Sequence, residues 1–110
     1  MPRVFVPMQP SRFDVGLKNW VPTVNLEPAS KFGEVIVMLE PGANRAHTVP
    51  LANALKEKMR DYGKDDYFVA LGDPSIIAIG AIIARDRAGF LRLLKWDRSI
   101  GDYIEMEIRV

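Results

Sequence analysis

Two uninterrupted apolar runs predict buried strands. Residues 34–40 and 67–71 lack the alternation of a half-exposed strand, so each fits a strand covered on both faces, as in a parallel sheet flanked by helices. A third strand is predicted over residues 90–96. In residues 103–110 apolar and polar positions alternate strictly, which predicts a last, antiparallel strand with one buried and one solvated face.

Two helices are predicted between these strands. The first carries a dry stripe of Leu51, Leu55, Met59 and Tyr62 opposite charged residues, with Thr48 as its N-cap and Gly63 as the left-handed residue after its end. The second begins after the turn at residues 72–73 and runs to about residue 86. Asp73 is its predicted N-cap, and Pro74 suits its first position because the missing N–H costs nothing there.

The second helix has almost no polar face. Its bulky stripe of Ile76, Ile79, Ile82 and Ile83 is predicted to face the sheet. Its small-residue side should admit another helix closely, from the same chain or from a second copy, or else lie under the N-terminal segment of its own chain. The residues predicted to form this interface are Ile77, Ala78, Gly80, Ala81, Ala84, Trp20 and Trp96.

The sequence predicts a single domain over residues 1–110, in which residues 1–33 form a proline-rich N-terminal arm packed on the rest. Val4 to Met8 fits a short strand, and Pro7 places it at a sheet edge because proline removes a ladder donor. The apolar content of the arm is too high for a disordered tail, so it should lie over the core or over a partner. The predicted fold class is α/β: an about five-stranded mixed sheet with a parallel centre, a C-terminal antiparallel hairpin and two helices around a Rossmann-like βαβαβ core.

Composition and charge argue against several classes of function. A net charge of +1 is spread evenly over 110 residues, so no segment forms the basic footprint of a nucleic-acid-binding protein or an acidic tail. The absence of cysteine excludes disulfides and thiolate metal sites. No apolar run approaches the ~20 residues of a bilayer span, and the N-terminus does not have the pattern of a signal peptide. We therefore expect a soluble, cytoplasmic protein that does not bind membranes.

Two loops place polar side chains at the carboxyl ends of the predicted parallel strands, where ligands bind in such sheets. This predicted ligand rim consists of Glu40, Asn44, Arg45, His47, Asp73 and Ser75. Each member also has an ordinary structural role: Asp73 caps a helix, and Ser75 lacks the glycines of a nucleophile elbow. The glycine spacings of dinucleotide and P-loop sites are absent. The residues therefore predict no catalytic set, metal site or cofactor.

One enzyme hypothesis stays open. Glu40 and Asp73, each after a strand, resemble the acidic Mg²⁺ arrangement of Toprim domains, although the Asp-x-Asp pair of that family is replaced by Asp73-Pro74-Ser75. The alternative function is thus a ligand- or Mg²⁺-dependent activity at the rim, Toprim-like or nucleotide-binding. A second alternative, nucleic-acid binding, depends on the basic residues Arg85, Arg87, Arg92, Lys95 and Arg98, which are interrupted by acidic residues.

Several short runs resemble small uncharacterised proteins encoded by tailed bacteriophages. These runs cover residues 20–25, 31–34, 71–75 and 93–98. The resemblance implies a location in the cytoplasm of the infected host and favours binding of a host protein, and no activity comes with it. Taken together, the sequence predicts a small, self-associating interaction or regulatory protein, a homodimer without catalysis.

Overall fold

The computed structural model describes residues 2–41 and 47–110. This part of the chain forms a five-stranded sheet, a separate two-stranded hairpin, two α-helices and one 3₁₀ segment. In chain order the elements are β1 (Arg3–Met8), β2 (Ser11–Asp14), β3 (Asn19–Pro22), the 3₁₀ segment (Glu27–Phe32), β4 (Glu34–Leu39), α1 (Thr48–Lys58), β5 (Tyr67–Val69), α2 (Pro74–Ala88), β6 (Leu91–Asp97) and β7 (Asp102–Ile108).

The strand order of the sheet is β4-β1-β5-β6-β7. The first four strands are parallel, and β6 pairs with β7 in an antiparallel register from Leu91↔Ile108 to Asp97↔Asp102. The run β4-α1-β5-α2-β6 is the predicted βαβαβ core. The predicted fold class is therefore confirmed, with β1 inserted between β4 and β5.

The prediction that the first strand lies at an edge is wrong. β1 pairs with β4 through Met8↔Leu39, but its pairing with β5 ends at Phe5↔Phe68. The missing N–H of Pro7 thus falls beyond the end of the β5 ladder, where it removes no pair. An interior strand tolerates this proline because only one of its two neighbours extends that far.

Each face of the sheet has its own cover. The two α-helices lie side by side on one face, over a buried cluster that includes Phe5, Leu55, Phe68 and Ile76. The 3₁₀ segment covers the other face, where Ala29 packs against a smaller cluster. The sheet, the two α-helices on one face and the 3₁₀ segment on the other therefore form a three-layer arrangement.

The N-terminal region divides into two parts with different surroundings. Val24, Leu26 and Phe32 pack against the core, as an arm laid over its own domain requires. The β2–β3 hairpin does not lie on the core, since the large apolar side chains it presents are exposed: Phe13, Val15, Leu17 and Trp20. Its strands pair from Ser11↔Pro22 to Asp14↔Asn19, and Thr23 N–H donates to Pro10 O at 2.8 Å.

Both ends of α1 differ from the prediction. The helix begins at Thr48, so the N-cap residue is His47, which makes no side-chain capping bond. It ends at Lys58 with Met59 as C-cap, and Gly63 is not left-handed. The predicted dry stripe nevertheless faces the core, since Leu51, Leu55, Met59 and Tyr62 are all buried.

Within the described ranges, no helix combines the length and the apolar character needed to cross a membrane.

Candidate interaction surface

Gly80 and Ala84 of α2 face the sheet of their own chain. A Cβ added to Gly80 would lie 2.5 Å from Cε1 and 2.6 Å from Cζ of Phe68 on β5, so only glycine permits this approach. Ala84, one turn further along, is fully buried. The prediction that Gly80 and Ala84 lie on a free contact surface is therefore wrong, because the chain itself covers them.

The opposite flank of α2 is left open. Ala78 is exposed, and Ile82 is 63% exposed although it was predicted to face the sheet. Ile76 and Ile83 are buried as predicted, while Ile77 and Ala81 are half-buried against the helix-side cluster. The helix is thus rotated about its axis from the predicted orientation, and the glycine sets this rotation by admitting the Phe68 ring.

The helix-side face of β7 is also open. α2 lies over β1, β5 and β6, whereas the main contacts of β7 are with β6 and the 3₁₀ segment. Ile104 and Met106 on this face are therefore 39% and 41% exposed. The buried residue of β7 is Tyr103 on the other face, so the face of this strand that was predicted to be buried is partly open.

A groove of about 270 Å³ joins these two open surfaces. Its apolar walls come from α2, the start of β6 and the end of β7, and Arg85 and Asp86 stand at its edge. The Arg85 guanidinium donates to Val110 O at 3.0 Å, which ties the helix to the C-terminal residue. We call the continuous surface the α2–β7 patch; it comprises Ile82, Leu91, Ile104, Met106, Ile108 and Val110.

The two tryptophans have different surroundings. Trp96 is half-buried and packs edge-on against Tyr103, with ring centroids 5.0 Å apart. Trp20 is exposed on the hairpin, where it packs edge-on against Phe13 at 5.5 Å. Of the two predicted interface tryptophans, Trp20 therefore presents an aromatic surface to solvent.

The structure describes four members of the predicted ligand rim, and Asn44 and Arg45 lie outside the described residues. Asp73 is the N-cap of α2, with its Oδ2 accepting from Ser75 N at 3.0 Å and from the Ser75 hydroxyl. Glu40 and His47 are exposed. Among the described residues, no three acidic or histidine side chains are placed to hold a metal ion.

One buried polar cluster was not predicted from the sequence. The Asp66 carboxylate, before β5, accepts from Arg3 N at 3.0 Å, from the Arg3 guanidinium at 2.9 Å and from Gly63 N at 2.8 Å. Burial and the Asp66 charge raise the pKa of Tyr62, whose hydroxyl donates to Asp66 O at 3.3 Å. This cluster fastens the start of β1 to the loop before β5, so we assign it a structural role.

Two surface carboxylates with lowered pKa values lie at the turn between β6 and β7. The hydrogen bonds from Ser99 lower the pKa of Asp97, and the hydrogen bond and ion pair with Lys31 lower the pKa of Asp102. The charged form of Asp97 thereby holds the turn, and that of Asp102 joins the turn to Lys31 of the 3₁₀ segment. Burial raises the pKa of Tyr103 next to them.

The basic residues considered for nucleic-acid binding do not share one face. Arg92 stacks over the rings of Tyr67 and Phe90 at 5.2 and 5.6 Å. Lys95 lies on the other face of β6, because successive side chains of a strand alternate. These side chains thus form no continuous basic stripe.

Comparison with known proteins gives one match. A family model described as "Phage Pam3 gp32-like protein" matches residues 2–110. No curated protein and no solved structure matches the chain. The resemblance to bacteriophage proteins is thereby confirmed, and the match covers the sheet, both helices and the hairpin. The chain is a phage protein and belongs to the Phage Pam3 gp32-like protein family.

Proposed function

We propose that this phage protein acts without catalysis, as an interaction protein that self-associates through the α2–β7 patch. The observation that carries the proposal is that apolar side chains of two adjacent elements are exposed together around one groove. Single exposed apolar residues are normal on soluble proteins, whereas contiguous patches mark interaction sites. Within the patch, Ile82 is the part of the predicted contact-making helix that its own chain leaves uncovered.

A second copy is the occupant that we propose for this patch. Ile82 is exposed on α2 and lines the groove, so a twofold axis could place the isoleucine of each copy against the groove of the other. Arg85 and Asp86 of each copy also line its groove, so opposite charges are present at the edge of the proposed contact. Opposite charges at the rim of an interface favour one register and disfavour others.

The exposed apolar area sets an upper limit on the affinity of such a dimer. Ile82, Ile104, Met106 and Val110 retain large exposed fractions, so two copies would remove eight such side chains from water. At about 1 kcal/mol for the exposed half of each side chain, the gain is about 8 kcal/mol, of which association consumes at least about 4 kcal/mol. The remaining 4 kcal/mol or less corresponds to a Kd of about 1 mM or weaker. We therefore expect a weak dimer that is partly populated at high micromolar concentration.

Sedimentation equilibrium over a concentration series tests the proposal. The wild-type protein should shift from monomer to dimer, and Ile82→Glu should stay monomeric because a carboxylate would enter an apolar groove without a partner. Met106→Glu, on the other element of the patch, should have the same effect.

Ile100→Glu is the matched control. Ile100 lies on the β6–β7 turn and is 62% exposed, almost the same as Ile82 at 63%, but it is not part of the patch. This variant should dimerise like the wild type. A wild-type protein that stays monomeric at high micromolar concentration, or an Ile82→Glu variant that dimerises normally, would refute the proposal.

A further inference from the structure

We infer that the free edge of β4 binds an extended segment of a partner protein, apolar in its centre and basic at both ends, as an added strand. This inference does not depend on self-association, because β4 and β7 are opposite edges of the sheet. In the described part of the chain, β1 is the sole strand paired with β4. The outer side of β4 is therefore open to a further strand.

The backbone groups of β4 alternate between the two sides. Glu34 N–H donates inward to Pro2 O at 3.2 Å. In a parallel ladder the N–H and C=O of one residue point to the same side and those of the next residue to the other. Val35, Val37 and Leu39 therefore direct their N–H and C=O groups outward, at the spacing that an added strand requires.

The side chains of β4 do not protect this edge. Residues 35–39 contain no charge and no proline, and Val37 is 42% exposed. Natural edge strands are usually blocked by charges, prolines or bulges. β7 follows that rule with Glu105, Glu107 and Arg109, whereas β4 does not.

The charges at the two ends of β4 determine which partner strand can pair with its free edge. Glu34 and Glu40 are exposed at the two ends of the apolar stretch. In a twofold antiparallel pairing of two copies centred on Val37, Glu34 would face Glu40 of the partner at both ends, and like charges directly opposite are destabilising. A partner strand with Lys or Arg at both ends would be attracted instead.

A labelled peptide, Lys-Val-Thr-Val-Thr-Val-Lys, tests the inference by fluorescence anisotropy. The wild-type protein should bind it at least about tenfold more tightly than the same peptide with Glu in place of Lys, or with its backbone N-methylated on the bonding edge. Val37→Pro should abolish binding while leaving the inner ladder intact, because the N–H it removes points outward. Circular dichroism would verify that this variant folds.

The double variant Glu34→Lys/Glu40→Lys keeps the test decisive if Val37→Pro does not fold. It should reverse the preference towards the Glu-ended peptide. Ile82→Glu should bind the Lys-ended peptide like the wild type, which separates this inference from the dimer proposal. Equal affinity for the Lys-ended, Glu-ended and N-methylated peptides, or dimers that Val37→Pro dissociates, would overturn it.

Discussion

Replacing Gly80 by alanine tests the orientation of α2. The added Cβ would meet two ring atoms of Phe68 at 2.5 and 2.6 Å, and Phe68 is fully buried, so the ring or the helix must move. Overpacking of this kind costs about 1–3 kcal/mol. The better helix propensity of alanine offsets about 1 kcal/mol of that cost. We therefore expect Gly80→Ala to lower the free energy of unfolding by up to about 2 kcal/mol.

Urea unfolding followed by far-UV circular dichroism measures this change. Gly63→Ala is the control, because a Cβ at that position meets nothing within 4 Å and its stability should not fall. In a Phe68→Leu background, which lacks the two clashing ring atoms, Gly80→Ala should no longer destabilise. If Gly80 faced solvent, its replacement by alanine would instead stabilise the protein by about 1 kcal/mol. A rise in stability would therefore refute the reasoning.

Three further predictions concern carboxylates. Asp66→Ala should lower the free energy of unfolding by about 2–4 kcal/mol in a urea titration, because it leaves the partly exposed Arg3 guanidinium and two part-buried backbone N–H groups unpaired. A loss below about 1 kcal/mol would contradict the structural role of that cluster. Asp73→Ala should lower the free energy of unfolding by about 1 kcal/mol, because the N-cap of α2 is lost. A thermal-shift screen of the wild type with divalent ions should give a clear rise in melting temperature only if the rim binds metal. The folded-state pKa of Asp102 is below its ordinary 3.8, so its stabilising contribution is present above that value and is lost as the pH falls through the folded-state pKa. Asp102→Asn, which also weakens the contact with Lys31, should therefore lose less stability than the wild type on acidification below about pH 4, and identical acid slopes would contradict this assignment.

The order of strands and helices could be predicted because local patterns determine it. The uninterrupted apolar runs became β4 and β5, and Asp73 followed by Pro74 marked the start of α2. The alternating residues after Gly101 became the antiparallel edge strand β7. These signals lie within a few residues of the structure they specify, so they need no knowledge of the partner elements.

The rotation of α2 could not be predicted in the same way. A helix that is apolar all round has no polar face to identify its solvent side, so the bulkier stripe was assigned to the sheet. The decision in fact depends on Phe68, whose ring fills the space that Gly80 leaves. This contact lies between residues of different elements, and a helical wheel does not contain it.

The position of β1 and the exposure of the hairpin are two further non-local features. Pro7 does remove a backbone N–H donor, but whether a ladder pair is lost depends on where β5 ends. The aromatic pair Phe13 and Trp20 predicts order, and it stabilises the hairpin itself rather than the core. The Asp66 cluster likewise joins residues 63 positions apart in the chain.

The central claim is that the α2–β7 patch is a contact surface between copies of this protein. Hydrogen–deuterium exchange at high and low protein concentration tests it most directly, because it locates the contact. We predict that dilution speeds exchange at residues 78–86 and 104–110 and leaves residues 34–39 unchanged. Exchange at the patch that does not depend on concentration, or a change confined to β4, would contradict the claim.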